Sequence, residues 1–263
     1  VSALKKYWYV YVLSWKLLLE YRFDNALRGF RYTVSVLLFG TVWVTIAKIS
    51  PSAQFEPQYV VTYFIYSALF FGLANYHLDE IETEIRLGYI SKFLVKPIDA
   101  FWYYFAHQAA IMSFDVLTKL IFIWPIAYFF SIELTTSLPN LVMGLLFIPF
   151  IALTTFSFYF AATTCAFWFN EVSALRLTLV FIQRFLSGAF IPLTLFSPLL
   201  TSINSWLPFP YFVGTPIAVL LNQLSMFQII QALAILFIWT VLGILSQRWL
   251  WHKATHSFEA TGL

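Results

Sequence analysis

Apolar residues run through this chain in stretches of about 20, the length needed to cross the hydrocarbon core of a bilayer. Short polar interruptions separate them. The pattern predicts an all-α integral membrane protein with six transmembrane helices, at about 30–49, 58–76, 107–130, 141–168, 173–195 and 226–247. Ser50-Pro51 ends the first, Glu133 to Asn140 forms a loop after the third, and Asn170-Glu171 marks a tight turn after the fourth. The whole chain, 1–263, reads as one transmembrane domain ending in a short polar tail, 248–263.

Three segments depart from the simple alternation of span and loop. Residues 2–24, within an N-terminal segment of 1–28, form an amphipathic pattern. Lys5, Lys6, Lys16, Glu20 and Asp24 fall within roughly 100° of a helical wheel. Leu4, Trp8, Tyr11, Trp15, Leu18 and Leu19 occupy the other side. Such a helix is expected to lie in the membrane interface, and Lys16 and Glu20 argue against a cleavable signal. The loop 77–99 between spans two and three is the longest polar stretch. Ile81, Ile85, Leu87, Ile90, Phe93 and Leu94 recur in it among charges. That spacing predicts a short amphipathic helix, broken near Gly88 and stopped by Pro97, whose open face suits a partner. Between spans five and six, 192–222 is apolar yet carries five prolines, at 192, 198, 208, 210 and 216. Each removes a backbone donor, so the segment is expected to be re-entrant over 197–220. Broken backbone at membrane depth persists only where protein or a cavity covers it.

Composition strengthens the membrane reading. Hydrophobic residues make up 61% and charged residues 10% of 263, against about 25% charged in soluble domains. A net charge of +3 gives no reason to expect nucleic acid as a partner. The distribution of that charge is informative. With the N-terminus in the cytoplasm, the inner segments hold Lys5, Lys6, Lys16, Arg22, Arg28, Arg31, Arg86, Lys92, Lys96, Arg176, Arg248 and Lys253. The outer segments hold only Lys48. Cytoplasmic loops are enriched in Lys and Arg, so both termini are expected in the cytoplasm. The one cysteine, Cys165, excludes an internal disulfide and a cysteine-rich metal site.

Charges inside spans are functional suspects. Asp115 and Lys119 are four apart on the third span, acid first, the favourable order for a helical pair. Arg184 lies in the fifth span with no acid close in sequence. It bonds helix carbonyls, meets lipid phosphate or pairs with Asp115, and the sequence leaves all three open. His252 and His256 share a helix face, but no third strong ligand is near, so no metal site is expected. There is no Gly-Lys dipeptide, hence no P-loop, and no Gly-x-Ser-x-Gly or His-Glu-x-x-His. The chain is not expected to be an enzyme by itself. Two rival readings remain at this level. An ion-coupled secondary transporter would use Asp115, Lys119 or Arg184. A membrane-embedded lipid-modifying enzyme would use His77, Asp79, Glu80 and His107.

Three segments together resemble the permease subunits of ABC-2 type exporters, in particular short six-span bacterial permeases. They are Ile85-Arg86-Leu87-Gly88-Tyr89-Ile90-Ser91-Lys92-Phe93-Leu94-Val95-Lys96-Pro97, the stretch from Ser187-Gly188 through Pro192 and Pro198 to Leu207-Pro208-Phe209, and the tail Phe258-Glu259-Ala260-Thr261-Gly262. With the interfacial helix and six spans, the resemblance covers essentially the whole chain. It implies export across a bacterial inner membrane through two permease halves, identical or unlike. A cytoplasmic ABC ATPase dimer drives it, and ATP and Mg bind to that partner rather than to this chain. It implies that Ile85, Arg86, Gly88, Tyr89, Lys92, Lys96 and Pro97 contact or shape the ATPase docking site. The re-entrant segment, with Pro192, Pro198, Pro208, Phe209 and Pro210, becomes an outer gate. The load of 30 Phe, 15 Tyr and 10 Trp is unusual for the family; it suits an apolar or lipidic substrate, but core packing and interface belts explain it more cheaply. The substrate is not legible.

Overall fold

In the computed structural model, residues 3–49, 57–74, 78–129, 136–169 and 171–256 are described, and among them every regular element is helical. Among the described residues, three helical stretches are long and apolar enough to cross a membrane: Ala100–Ile123, Leu138–Phe167 and Met226–His256. Val36–Ile46 and Tyr59–Leu73 are shorter apolar helical stretches.

The chain opens with α1 (Ala3–Glu20) and α2 (Arg22–Ile49), separated by a turn at Tyr21. Helix α3 (Pro57–Leu73) follows, then α4 (Asp79–Arg86) and α5 (Lys92–Val95) within the polar loop. The long helices α6 (Ala100–Phe129) and α7 (Leu138–Thr164) come next, then α8 (Ser173–Leu186). The proline-rich stretch holds α9 (Pro198–Asn204) and α10 (Gly214–Leu220), and α11 (Met226–His256) closes the described chain.

Side-chain pairings give the directions of the long helices. Helix α2 runs with α6, since Gly29 lies against Thr118 and Phe122 while Val36 packs with Ile123 and Ala127. Helix α3 runs against α6, with Gly72 beside Lys119 and Ile65 clustered with Ile123. Helices α7 and α11 run together through Phe150–Phe237, Thr154–Thr240 and Gly243–Ser157. Helix α8 runs against α3, with Gln183 bonded to the carbonyl of Ala74 and Tyr63 to that of Gly188. Helix α6 runs against α7, with Phe101 on Phe160 and Phe105 on Phe156, so α2, α3, α6, α7, α8 and α11 alternate in direction. One end of the bundle gathers the loop 79–99, the turn before α8 and the C-terminal part of α11. The far end gathers 187–222 and the start of α7.

Helix boundaries differ from the hydropathy reading where specific polar atoms intervene. Helix α6 begins at Ala100, because the Asp99 carboxylate accepts the Trp102 N–H at 3.1 Å and caps it. Helix α8 stops at Leu186 rather than running to 195. Gly188 turns the chain with φ +88°, a conformation that glycine adopts without cost, and Pro192 follows. Helix α11 continues beyond 247 to His256, where the His252 and His256 rings meet edge to face at 4.4 Å.

Helix α1 lies lengthwise along the first half of α6. The Tyr11 hydroxyl is 2.9 Å from that of Ser113, Trp15 Nε1 donates to the same oxygen at 3.0 Å, and the Trp15 ring packs on Phe114. Tyr11 and Trp15, on the apolar side of the wheel, thus meet protein. Leu4, Lys5, Trp8, Tyr9, Leu13 and Lys16 stay exposed.

Candidate functional site

The loop 79–99 is fastened to the rest of the described chain at several points. On α4, Ile81 and Ile85 point inward, and with Leu78 and Ile90 they join the main core beside Phe101, Tyr104, Phe156 and Phe160. Gly88 adopts φ +75° with open space where a side chain would stand, and α5 follows after one 3-10 turn, Tyr89–Ser91.

Three carboxylates of the loop turn to cations or hydroxyls of the same chain. Glu82 is buried on the apolar flank of α4. The guanidinium of Arg176, on the first turn of α8, donates to both Glu82 and Asp79. Glu82 also accepts the Val172 N–H at 3.3 Å. Glu84 pairs with Lys92 at 2.7 Å and accepts the Tyr104 hydroxyl. A fourth, Glu80, is mostly exposed and stands 3.9 Å from His107 Nε2, whose Nδ1 lies 2.8 Å from the Ser14 hydroxyl of α1. Helix α1 also holds the exit of the loop: Lys6 donates to the Pro97 carbonyl at 3.2 Å, and the Asp99 N–H donates to Tyr7 Oη at 3.2 Å.

At the tip of the loop, 86–97, what stands outward is basic and apolar. Leu87 is 59% exposed, Tyr89 62% and Val95 85%. Arg86, Lys96 and Pro97 are exposed beside them. Among the seven loop residues singled out by sequence, Arg86, Tyr89, Lys96 and Pro97 stand on this tip. Ile85, 4% exposed, sits in the core beneath it. Lys92 is held by Glu84, and Gly88 supplies the left-handed turn. Leu87, Val95, Glu82 and Arg176 were not singled out. One signal for Glu82 was available: a carboxylate next to Ile81 and Ile85 on the wheel calls for a partner inside the fold.

The charges in the helices are also placed. Lys119 is buried and pairs with Asp115. Gly72 of α3 makes room for the ammonium, since a Cβ there would overlap Lys119 Nζ. Gly72→Val is expected to push the pair apart and lower stability by about 1–3 kcal/mol, the range for overpacking, read by thermal denaturation in detergent. Arg184 is half-buried between two rings, its guanidinium 4.6 Å from the centroid of Phe71 and 5.5 Å from that of Phe190.

At the far end, Pro192, Pro208 and Pro210 are buried, Phe209 packs edge to face on Phe212 at 6.0 Å, and Pro198 is exposed at the start of α9. The broken backbone finds partners within the protein. The Ser187 carbonyl accepts the Gly214 N–H at 2.9 Å. The Gly188 carbonyl accepts the Tyr63 hydroxyl at 2.7 Å. The Leu186 carbonyl accepts Asn204 Nδ2 at 2.8 Å, and the Phe190 carbonyl accepts Trp43 Nε1 at 3.1 Å. Phe212, Val213 and Ile217 are fully covered. His77 and the tail Phe258–Gly262 lie outside the described residues.

The family model described as "ABC-2 family transporter protein" matches residues 30–262, from within α2 to the penultimate residue. The chain belongs to the ABC-2 transporter family. Searches of curated proteins and of solved structures return no match. As an ABC-2 protein it is the permease component of an ABC transporter, a multi-pass membrane protein that is not itself catalytic. Membrane components of this family generally work with ABC ATPases. That context gives the outward basic and apolar tip of loop 79–99 a specific interest in this ABC-2 permease.

Proposed function

We propose that this permease forms half of the path of an ABC exporter and takes its energy from a cytoplasmic ATPase dimer docked on loop 79–99. The observation that carries the reading is the division of that loop. Glu82 and Glu84 are turned inward and neutralised, and Asp79 shares the Arg176 guanidinium, while Leu87, Tyr89 and Val95 stand out between Arg86 and Lys96. An exposed apolar cluster rimmed by charge is the usual sign of a protein contact, and its basic rim suits a groove edged with carboxylates.

The alternating helices suit six crossings in a bacterial plasma membrane, with both termini cytoplasmic. The covered backbone of 187–222 suits an outer gate at membrane depth. Two such halves, like or unlike, complete the path among membrane lipid, and ATP with Mg belongs to the ATPase. An ion-coupled reading is less well supported, because the Asp115 and Lys119 charges already satisfy each other. The test is gentle purification from native membranes. An ATP-hydrolysing subunit is expected to co-purify in fixed ratio, and a chain isolated with full ATP-independent activity and no such subunit contradicts the reading.

A further inference from the structure

Helix α8 is fastened at both ends. At the loop end, the buried Arg176 guanidinium grips Glu82 and Asp79 of α4, and Glu82 also accepts the Val172 N–H. At the other end, the carbonyls of Leu186, Ser187 and Gly188 accept from Asn204, Gly214 and Tyr63. Between them lies SALRLTLVFIQRFL, a helix without glycine or proline. Over its 14 residues it is about 21 Å long. Its outer side is open along Leu177 and Phe181, so it is not clamped all round.

We infer that Arg176 is the positioning residue that makes α4 and α8 one moving body, so that displacement of loop 79–99 reaches the far-end segment 187–222 through α8. This rests on the docking reading above and adds the route by which docking acts. A buried ion cluster suits that task. Separating it strands charges in a dry site, so the loop moves with α8 rather than away from it. At the far end, the Gly214 and Asn204 bonds pull on α10 and α9 directly.

The test uses the intact complex with its ATPase in liposomes, with a fluorescent amino acid in place of Leu199 in a Cys165→Ser background. Leu199 is exposed on α9. In the otherwise natural protein, ATP is expected to shift the label's signal. Arg176→Lys keeps the charge but loses the two-pronged reach. It is expected to leave ATPase binding and ATP hydrolysis within twofold while the shift falls about tenfold. A purely structural role would lower assembly and hydrolysis together. The second variant, Glu82→Cys with Val172→Cys, is expected to lose the shift when untreated and regain it when a short bis-maleimide joins the two thiols.

An unchanged shift in Arg176→Lys overturns the inference. So does a cross-link that abolishes the natural response, because α4 and α8 then move apart during the cycle. An ATPase that hydrolyses ATP on the natural complex but never moves the label overturns it as well. Absence of any ATPase from the natural complex is a different result: it sinks the docking reading and this inference with it.

Discussion

Replacing Arg176 by methionine is expected to lower the unfolding free energy by about 3–5 kcal/mol, the range for breaking a buried ion pair from one side. Methionine fills much of the volume but leaves the Glu82 carboxylate in a site with little water. Asp79 matters less, because its side chain is 74% exposed and hydrates once released. The double variant Arg176→Met with Glu82→Met is therefore expected to recover most of the loss, since removing both partners of a buried pair is often close to neutral. Denaturation in a fixed detergent, with helix content as the readout, separates the two variants. Equal stability of the single and double variants would mean that water reaches Glu82.

The second large effect concerns the turn that ends α8. Gly188→Val places a branched side chain at φ +88°, with Tyr63 Oη 2.6 Å and Leu193 Cγ 2.9 Å from its Cβ. The left-handed backbone costs about 1–2 kcal/mol for a residue with a side chain, and overpacking adds about 1–3 kcal/mol. The Tyr63 bond to the Gly188 carbonyl, about 1 kcal/mol, is also at risk. A fall of several kcal/mol is expected, with broadened unfolding as α9 and α10 lose their anchor. Gly40, inside α2, is the control, because a Cβ there meets nothing within 4 Å. Gly40→Ala is expected to be neutral or to gain up to about 1 kcal/mol from helix propensity. The same loss at both glycines would contradict the assigned role of Gly188.

Much of this architecture was legible in the pattern of apolar runs, because lipid-length helices declare themselves locally. The broken character of 192–222 was legible from its prolines. Where α8 stops was not: Gly188 looks like a tolerated glycine in a Leu- and Phe-rich run until Tyr63 and Gly214 hold the turn. The side of α1 that meets α6 depends on Ser113 and Phe114, about a hundred residues away, and no wheel contains them. The start of α6 was marked by Asp99 after Pro97, but hydropathy alone placed it seven residues late. At the candidate site, Arg86, Tyr89, Lys96 and Pro97 are as outward as their charge and position imply. Ile85 belongs to the core because the apolar face of α4 packs inward. The Arg176–Glu82 bond joins residues 94 apart, and only the folded chain brings them together.

The central claim, that an ATPase sits on loop 79–99, is tested most directly by placing a photo-reactive phenylalanine analogue at Tyr89 and, separately, at Val95 in native membranes. A matched probe at Phe181, exposed on α8, serves as the comparison. The account predicts an adduct with an ATP-hydrolysing protein from both loop positions and none from Phe181. Adducts from Tyr89 and Val95 with lipid alone, while the probe at Phe181 captures the ATPase, would contradict it.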